Sequence, residues 1–424
     1  MNLPRRTFLQ GLGAGAIGAL AGFTPASAAE RKLPAFDAAN SDAYWRAVRA
    51  LYPLLDDPLY LNTGGLGPAS EPVLATVEAV SRQLQEHSET GHSLLQPARE
   101  AMARFIGAVP EEVCFVRNAT EGNSIIAAGF ALAAGDEVIF ETHAHPGGSF
   151  PWLNQAKQRG VIVKLFEPDN ASAEGNLARI HALVTPRTRV IQVSHITCTT
   201  GLVFPLALIA EFARARGIWF HVDGAQAAGM IPLELDRSGC DSYAFSGHKW
   251  LGGPHETGVF WLRRDRLEAV APTGIGAHSG ELPLLPGELK YEGAATRHEY
   301  GTRNAALVSG LAAAVRLQEQ IGRDRVAAHG RELADLLLDG FARLDGIEVL
   351  TPQSPDLRAS ITTIRHARAD AHKFFGYLAE KHRLRCRPVT EQNLGAVRIS
   401  THIFNSRADC GRIIAAVRAA ARDL

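Results

Sequence analysis

Residues 246–258 read SGHKWLGGPHETG. A lysine follows a histidine at the end of an apolar run, SYAF, and two glycines and a proline follow close behind. Taken alone, Lys249 is an ordinary loop lysine. Twenty-six residues earlier, IWFHVDGAQAAG at 218–229 ends another apolar run in Asp223, with Gln226 just beyond it. Two further runs end in the same manner. EVIFETHAH delivers His143 and His145, and EVCFVRNATEGNS delivers Asn118, Thr120 and Glu121 before a helix-like stretch.

Working outward, seven short apolar runs lie between residues 112 and 264, several separated by helical patterns such as PLALIAEFARARG at 205–217. Such alternation implies an α/β architecture with a mainly parallel sheet of seven strands covered on both faces. Functional groups then gather at the carboxyl ends of the strands. From about residue 305 the pattern changes to long amphipathic helices and short strands, which implies a smaller α+β domain. The expected division is a large domain over 61–304, with a small domain made from 31–60 and 305–424.

Polar groups of these kinds at one sheet edge suit one chemistry. A lysine amine forms a Schiff base with an aldehyde cofactor. A carboxylate pairs with a pyridinium nitrogen and lets the ring accept electrons. A helix N-terminus with hydroxyl side chains binds a phosphate. An imidazole covers the ring face. Lys249, Asp223, Thr120 and His145 fit these four roles.

The motifs HVDGAQAAG, FSGHKWLGGPHETG, RHEYGTRN, AVRISTHIFN and YLNTGGLGP occur in an order that resembles the class V pyridoxal-phosphate enzymes of fold type I. That group includes isopenicillin N epimerases, cysteine desulfurases and aminotransferases. The resemblance implies pyridoxal 5'-phosphate as cofactor and Lys249 as its covalent anchor. Asp223 is then the partner of the ring nitrogen and Gln226 that of the phenolic oxygen. Thr120, Glu121, Ser246 and His248 surround the phosphate. Thr302 reaches the phosphate of a neighbouring subunit, which implies a homodimer with its site at the interface. His145 stacks on the ring and takes part in catalysis, with His143 one alternate position away as the other candidate. Asn62, Gly64 and Arg398 form the substrate mouth, Arg398 as clamp for a carboxylate. His195, His402, Trp152 and Trp250 read as structural, His195 bonding backbone at a strand end.

The reaction is left open at this level: epimerisation or transamination at the α-carbon of an amino acid, with desulfuration or β-elimination as the alternative. Desulfuration needs a mobile thiol near the substrate arginine. Cys386, inside LRCRPV, is the nearest in sequence and reads as a strand residue. A metal-dependent amidohydrolase, suggested by HAH, leaves the Asp-x-x-Gln pair without a use. A catalytically silent binding protein leaves both Lys249 and Asp223 without one.

Composition bounds the rest. With 46% hydrophobic and 21% charged residues the 424-residue chain is that of a soluble globular protein. Its 44 basic and 44 acidic residues cancel, with no basic block suited to nucleic acid or anionic lipid. At the N-terminus, PRRTFLQ, then GLGAGAIGALAGF, then ASA at 26–28 have the order of a cleaved export signal. The apolar stretch is too short to span a bilayer. Arg5 and Arg6 resemble the twin-arginine type. The expectation is a signal over 1–28, export of a folded protein to the periplasm, and no membrane anchor after cleavage. Five cysteines without CxxC spacing make neither a disulfide framework nor a zinc ribbon.

Overall fold

The computed structural model describes residues 33–281 and 287–424; the expected signal over 1–28 lies outside them. Thirteen strands occur among the described residues. In chain order they are β1 (Leu59–Tyr60), β2 (Val113–Val116), β3 (Glu137–Glu141), β4 (Ile162–Phe166), β5 (Thr188–Ser194), β6 (Trp219–Asp223) and β7 (Ser242–Ser246). They continue with β8 (Gly258–Leu262), β9 (Ile347–Val349), β10 (Ile361–His366), β11 (Leu384–Arg385), β12 (Arg387–Val389) and β13 (Ala396–Ser400).

The seven apolar runs between residues 112 and 264 form one sheet in the order β2-β8-β7-β6-β5-β3-β4. Its pairs are parallel from β7 to β4, while β8 runs antiparallel to both β7 and β2. Strands β5 to β8 are buried along nearly their whole length. This is why they read as continuous apolar runs rather than alternating ones.

A second sheet, β12-β13-β10-β9, is antiparallel and packs against the helices Arg323–Phe341, Ala371–His382 and Arg407–Asp423. The helix Ala305–Ile321, placed by its sequence with this smaller unit, does not bury its face there. Ala305, Val308, Leu311 and Val315 lie in the core of the seven-stranded sheet, beside the helices Glu71–His87 and Leu95–Ile106. The N-terminal helix Ser41–Arg49 packs on the far end of the same long helix and on Ile403 and Phe404.

The chain's two ends are joined at the cleft between the units. Strand β1 pairs in parallel with β11, and Asn62 bridges to Ser400 at the end of β13.

Candidate active site

The carboxyl ends of β2, β6 and β7 open on a cavity of about 270 Å³. Thr120, His145, Asp223, Gln226, Ser246 and His248 line it together with Lys249. Gly64 and Arg398 close it from the side of the smaller unit.

Lys249 sits where β7 has ended in a tight turn. The Gly252 N–H donates to the Lys249 carbonyl at 3.1 Å, and Gly252 has φ +71°, a conformation that glycine adopts at no steric cost. From the other side Gly67 comes so near that a Cβ there would lie 1.8 Å from the Lys249 carbonyl oxygen. The lysine backbone is thus gripped, while its amine is buried with Asp223 near by. Burial lowers the amine's pKa, Asp223 partly opposes this, and Arg398 and Arg387 add to the lowering. A lowered pKa favours the neutral, nucleophilic amine.

Asp223 accepts from the Ala225 N–H at 3.0 Å on one oxygen and from Asn123 Nδ2 at 2.9 Å on the other. Asn123 is itself oriented. Its Oδ1 lies 2.9 Å from His221 Nε2, and His221 Nδ1 lies 2.8 Å from Ser242 Oγ. Trp219 Nε1, which can only donate, reaches Ser242 Oγ at 2.9 Å. Burial pushes His221 down to about 3, so its ring is neutral. The Ser242 hydroxyl therefore donates to Nδ1, His221 Nε2–H donates to Asn123, and Asn123 donates to Asp223. The chain of dipoles ends on the carboxylate, as acceptor, with both its oxygens engaged.

At the other end of the cavity the helix Ala119–Gly129 begins. Asn118 caps it, its Oδ1 accepting from Glu121 N–H at 2.9 Å, and the Ala119 N–H donates to Ser246 Oγ at 3.0 Å. His248 Nδ1 is buried there without a partner. A helix N-terminus, a threonine, a serine and an unsatisfied imidazole nitrogen form an anion cradle.

Of the two candidate histidines, His145 borders the cavity. His143 instead lies 2.9 Å from Thr199 Oγ1 and 3.1 Å from a Glu167 carboxylate oxygen. His145 caps the helix Pro146–Arg159, with Nδ1 accepting from the Gly147 N–H at 3.0 Å. Its proton is thereby left on Nε2. Burial, and then the charge of Lys249, lower its pKa.

Gln226 donates from Nε2 to the Gly64 carbonyl at 2.9 Å and accepts from Trp250 Nε1 at 2.8 Å, so Trp250 orients a cavity residue. Arg398 is only 1% exposed, and burial pushes its pKa down to about 10. Its Nη2 donates to Asn62 Oδ1 and its Nη1 to the Cys198 carbonyl, each at 2.8 Å, while Nε is left without a partner. Gly64 leaves open the space beside it. A Cβ there would come within 3.1 Å of both Arg398 Cζ and Ser400 Oγ.

Several expectations are corrected. Glu121 does not line the cavity; its carboxylate accepts from the Arg117 N–H at 2.6 Å and from Arg117 Nε at 3.2 Å. Thr302, whose expected partner is a neighbouring subunit, is not among these corrections: it lines a separate cavity with Arg117, Tyr300 and Arg303 rather than the Lys249 cavity of its own chain. His195 bonds not backbone but the Tyr243 hydroxyl, 2.8 Å from its Nδ1. The cysteine that borders the cavity is Cys198, whose carbonyl accepts from Arg398, rather than Cys386. Two residues of the site were not singled out from the sequence: Asn123 and His221. His221 and Asp223 lie two apart on one strand and so share a face, which was a legible signal.

The cavity therefore has an amine of lowered pKa beside a held carboxylate, an anion cradle at a helix N-terminus, and a buried guanidinium with an unmade bond. The orphaned His248 and Arg398 nitrogens, at opposite ends, fit a molecule with a phosphate at one end and a carboxylate partner at the other. These are the features of a pyridoxal-phosphate enzyme. Residues 72–412 match the family described as class-V aminotransferases, and the chain belongs to that family. It is a pyridoxal-phosphate-dependent enzyme of fold type I.

Among curated relatives, the chain is 31% identical to an isopenicillin N epimerase of Streptomyces clavuligerus, over 89% of this chain and 98% of that one. It is 30% identical to the isopenicillin N epimerase of Amycolatopsis lactamdurans, over 84% and 94%. A probable cysteine desulfurase of Halalkalibacterium halodurans is 29% identical, over 74% and 81%. Among solved structures, the Escherichia coli cysteine desulfurase CsdA superposes with a TM-score of 0.79 at 26% identity, covering 89% of this chain and 98% of that one.

Proposed function

We propose that the protein acts at the α-carbon of an amino acid, as an epimerase or aminotransferase, rather than moving sulfur. When bound, the cofactor supplies an aldehyde for the substrate amine and a ring that takes up the electron pair left at the α-carbon. Thr120, Ser246, His248 and the helix N-terminus would hold its phosphate, and Asp223 its ring nitrogen. The chain's own groups do the rest. Arg398 fixes the α-carboxylate, and Asn62 and the Cys198 carbonyl keep the guanidinium in place. Lys249, freed from its resting role, is the amine that removes the α-proton. His145 presents Nε2–H to the cavity while its other nitrogen is occupied.

The observation that carries this reading is the state of the thiols. All five cysteines are buried. Burial pushes Cys386 up to about 12 and also raises Cys198. A sulfur acceptor needs a thiolate with reach: Cys386 does not border the cavity, and Cys198, which does, is held toward the protonated thiol by burial. The likeness to isopenicillin N epimerases over most of both chains supports the same reading. The test is a panel of D- and L-amino acids followed by cofactor absorbance and by product analysis. Inverted or deaminated products support the proposal; alanine and persulfide from cysteine as the dominant products contradict it.

The working unit in this proposal is a homodimer, with Thr302 serving the neighbouring subunit; its distance from the cavity of its own chain supports that. The order of motifs in residues 1–28 supports export through the twin-arginine pathway to the periplasm, without a membrane anchor after cleavage.

A further inference from the structure

Arg387 on β12 is directly opposite Arg398 on β13. Residues opposed in an antiparallel pair carry their side chains on one face, with Cβ atoms about 4.5–5.5 Å apart, and like charges placed there repel. Both guanidiniums border the cavity that holds Lys249. Each charge is felt by the others: Arg387 lowers the pKa of Arg398, and both lower that of Lys249.

Arg387 is answered only in part. Its Nη2 pairs with Glu391 Oε1, four residues on, but its Nη1 and the second Glu391 oxygen are buried without partners. Arg398 Nε is in the same condition. A buried charged donor with an unmade bond is costly, and the cost is recovered only when an acceptor arrives. One α-carboxylate answers one arginine. Glu391, moreover, is held by a short exposed turn, Glu391–Asn393, in which Gln392 and Asn393 have φ of 51° and 56°. Non-glycine residues adopt that conformation at a cost, so the turn is a replaceable support rather than a fixed wall.

We infer that the cavity is built for an amino acid with a second anionic group, Arg398 taking the α-carboxylate and Arg387 a carboxylate on the side chain. Glu391 is the counter-ion that the incoming carboxylate displaces. The inference rests on the α-carbon reading above and narrows its substrate class to acidic amino acids.

The test titrates holoenzyme with aspartate, glutamate and 2-aminoadipate, each beside its side-chain amide, to cover three chain lengths. Cofactor absorbance and the thermal midpoint are both followed. At least one acid is expected to bind tenfold or more tighter than its amide. Arg387→Gln is expected to bring that ratio to within threefold of one, and Glu391→Gln to raise it. Equal binding of acid and amide by the wild type, or a ratio that Arg387→Gln leaves alone, overturns the inference. Should Arg387→Gln not fold, Glu391→Gln decides, and an unchanged ratio counts against it. Response to neutral amino acids without preference sinks this inference only. Silence toward every amino acid sinks the α-carbon reading with it.

Discussion

Asn123 donates to Asp223 at 2.9 Å and is the last link of a buried relay that begins at Trp219. The relay fixes the direction in which every donor points, so Asp223 is held as an acceptor on both its oxygens. Hydrogen bonds to charged groups contribute about 1.5–3 kcal/mol. Asn123→Ala is therefore expected to lower kcat by roughly 10- to 100-fold while cofactor still binds. His221→Phe should give a similar loss, and the double variant less than the product of the two, since both act through one carboxylate. Asp223→Asn should slow turnover more than either. Steady-state kinetics on protein of matched cofactor content checks this, and a wild-type rate in Asp223→Asn would make the aspartate merely structural.

Lys249 is expected to carry the cofactor. Purified protein should be yellow, and borohydride followed by proteolysis should leave the pyridoxyl mass on the peptide that contains Lys249. Lys249→Ala should lose turnover altogether. A mass on any other lysine contradicts the assignment.

The thiols offer a direct contrast with sulfur transfer. Cys386 lies between β11 and β12 with its Sγ 3.9 Å from the Leu384 carbonyl, buried and without reach. Cys386→Ser is expected to keep at least half of the activity, and mass spectrometry should find no persulfide after incubation with cysteine. Loss of turnover in that variant with an intact cofactor spectrum would favour a desulfurase.

Glu141 gives a pH signature. Its carboxyl is wholly buried at the end of β3; one oxygen accepts from Ser194 N–H at 3.0 Å and the other has no partner. Burial pushes its pKa up to about 7 from 4.5. A raised carboxyl favours folding below the unfolded pKa, and that contribution is lost as pH rises from about 4.5 through about 7. The loss is on the order of 3 kcal/mol. Glu141→Gln should remove this slope, so that its thermal midpoint gains on the wild type between pH 5 and 8. Parallel stability curves over that range would refute the assignment.

Export is testable apart from chemistry. Replacing Arg5 and Arg6 with lysines should strand folded, yellow protein in the cytoplasm. Unchanged delivery to the periplasm would rule out the twin-arginine route.

Six of the seven strands of the large sheet were legible because they are buried along nearly their whole length and therefore uninterrupted in apolar character; β4, at the sheet edge with Ile162 and Leu165 exposed, was legible from its apolar residues alone. Lys249, Asp223, Thr120 and Ser246 were legible because chemistry at strand ends leaves polar residues just after such runs. The helix Ala305–Ile321 was misplaced for a physical reason: periodicity shows that a helix has an apolar face, not which core receives it. Glu121 was misplaced because adjacency to Thr120 says nothing of direction, and one helical step of about 100° turns its carboxylate to Arg117. The pairing of Arg387 with Arg398 depends on the register of two short strands, which the sequence does not display.

The bond from Arg398 to Asn62 joins residues 336 positions apart, and β1 meets β11 over a similar span. Closing so long a loop carries an entropic cost that local contacts do not repay early. During synthesis the seven-stranded sheet, with Asp223 and Lys249, emerges before β13 does. The side of the cavity that carries Lys249 is thus laid down first, and the side that carries Arg398 last. A chain cut short of β13 would lack Arg398 and the strand to which β10, β12 and Asn62 all pair, and its cavity would stand open on that side.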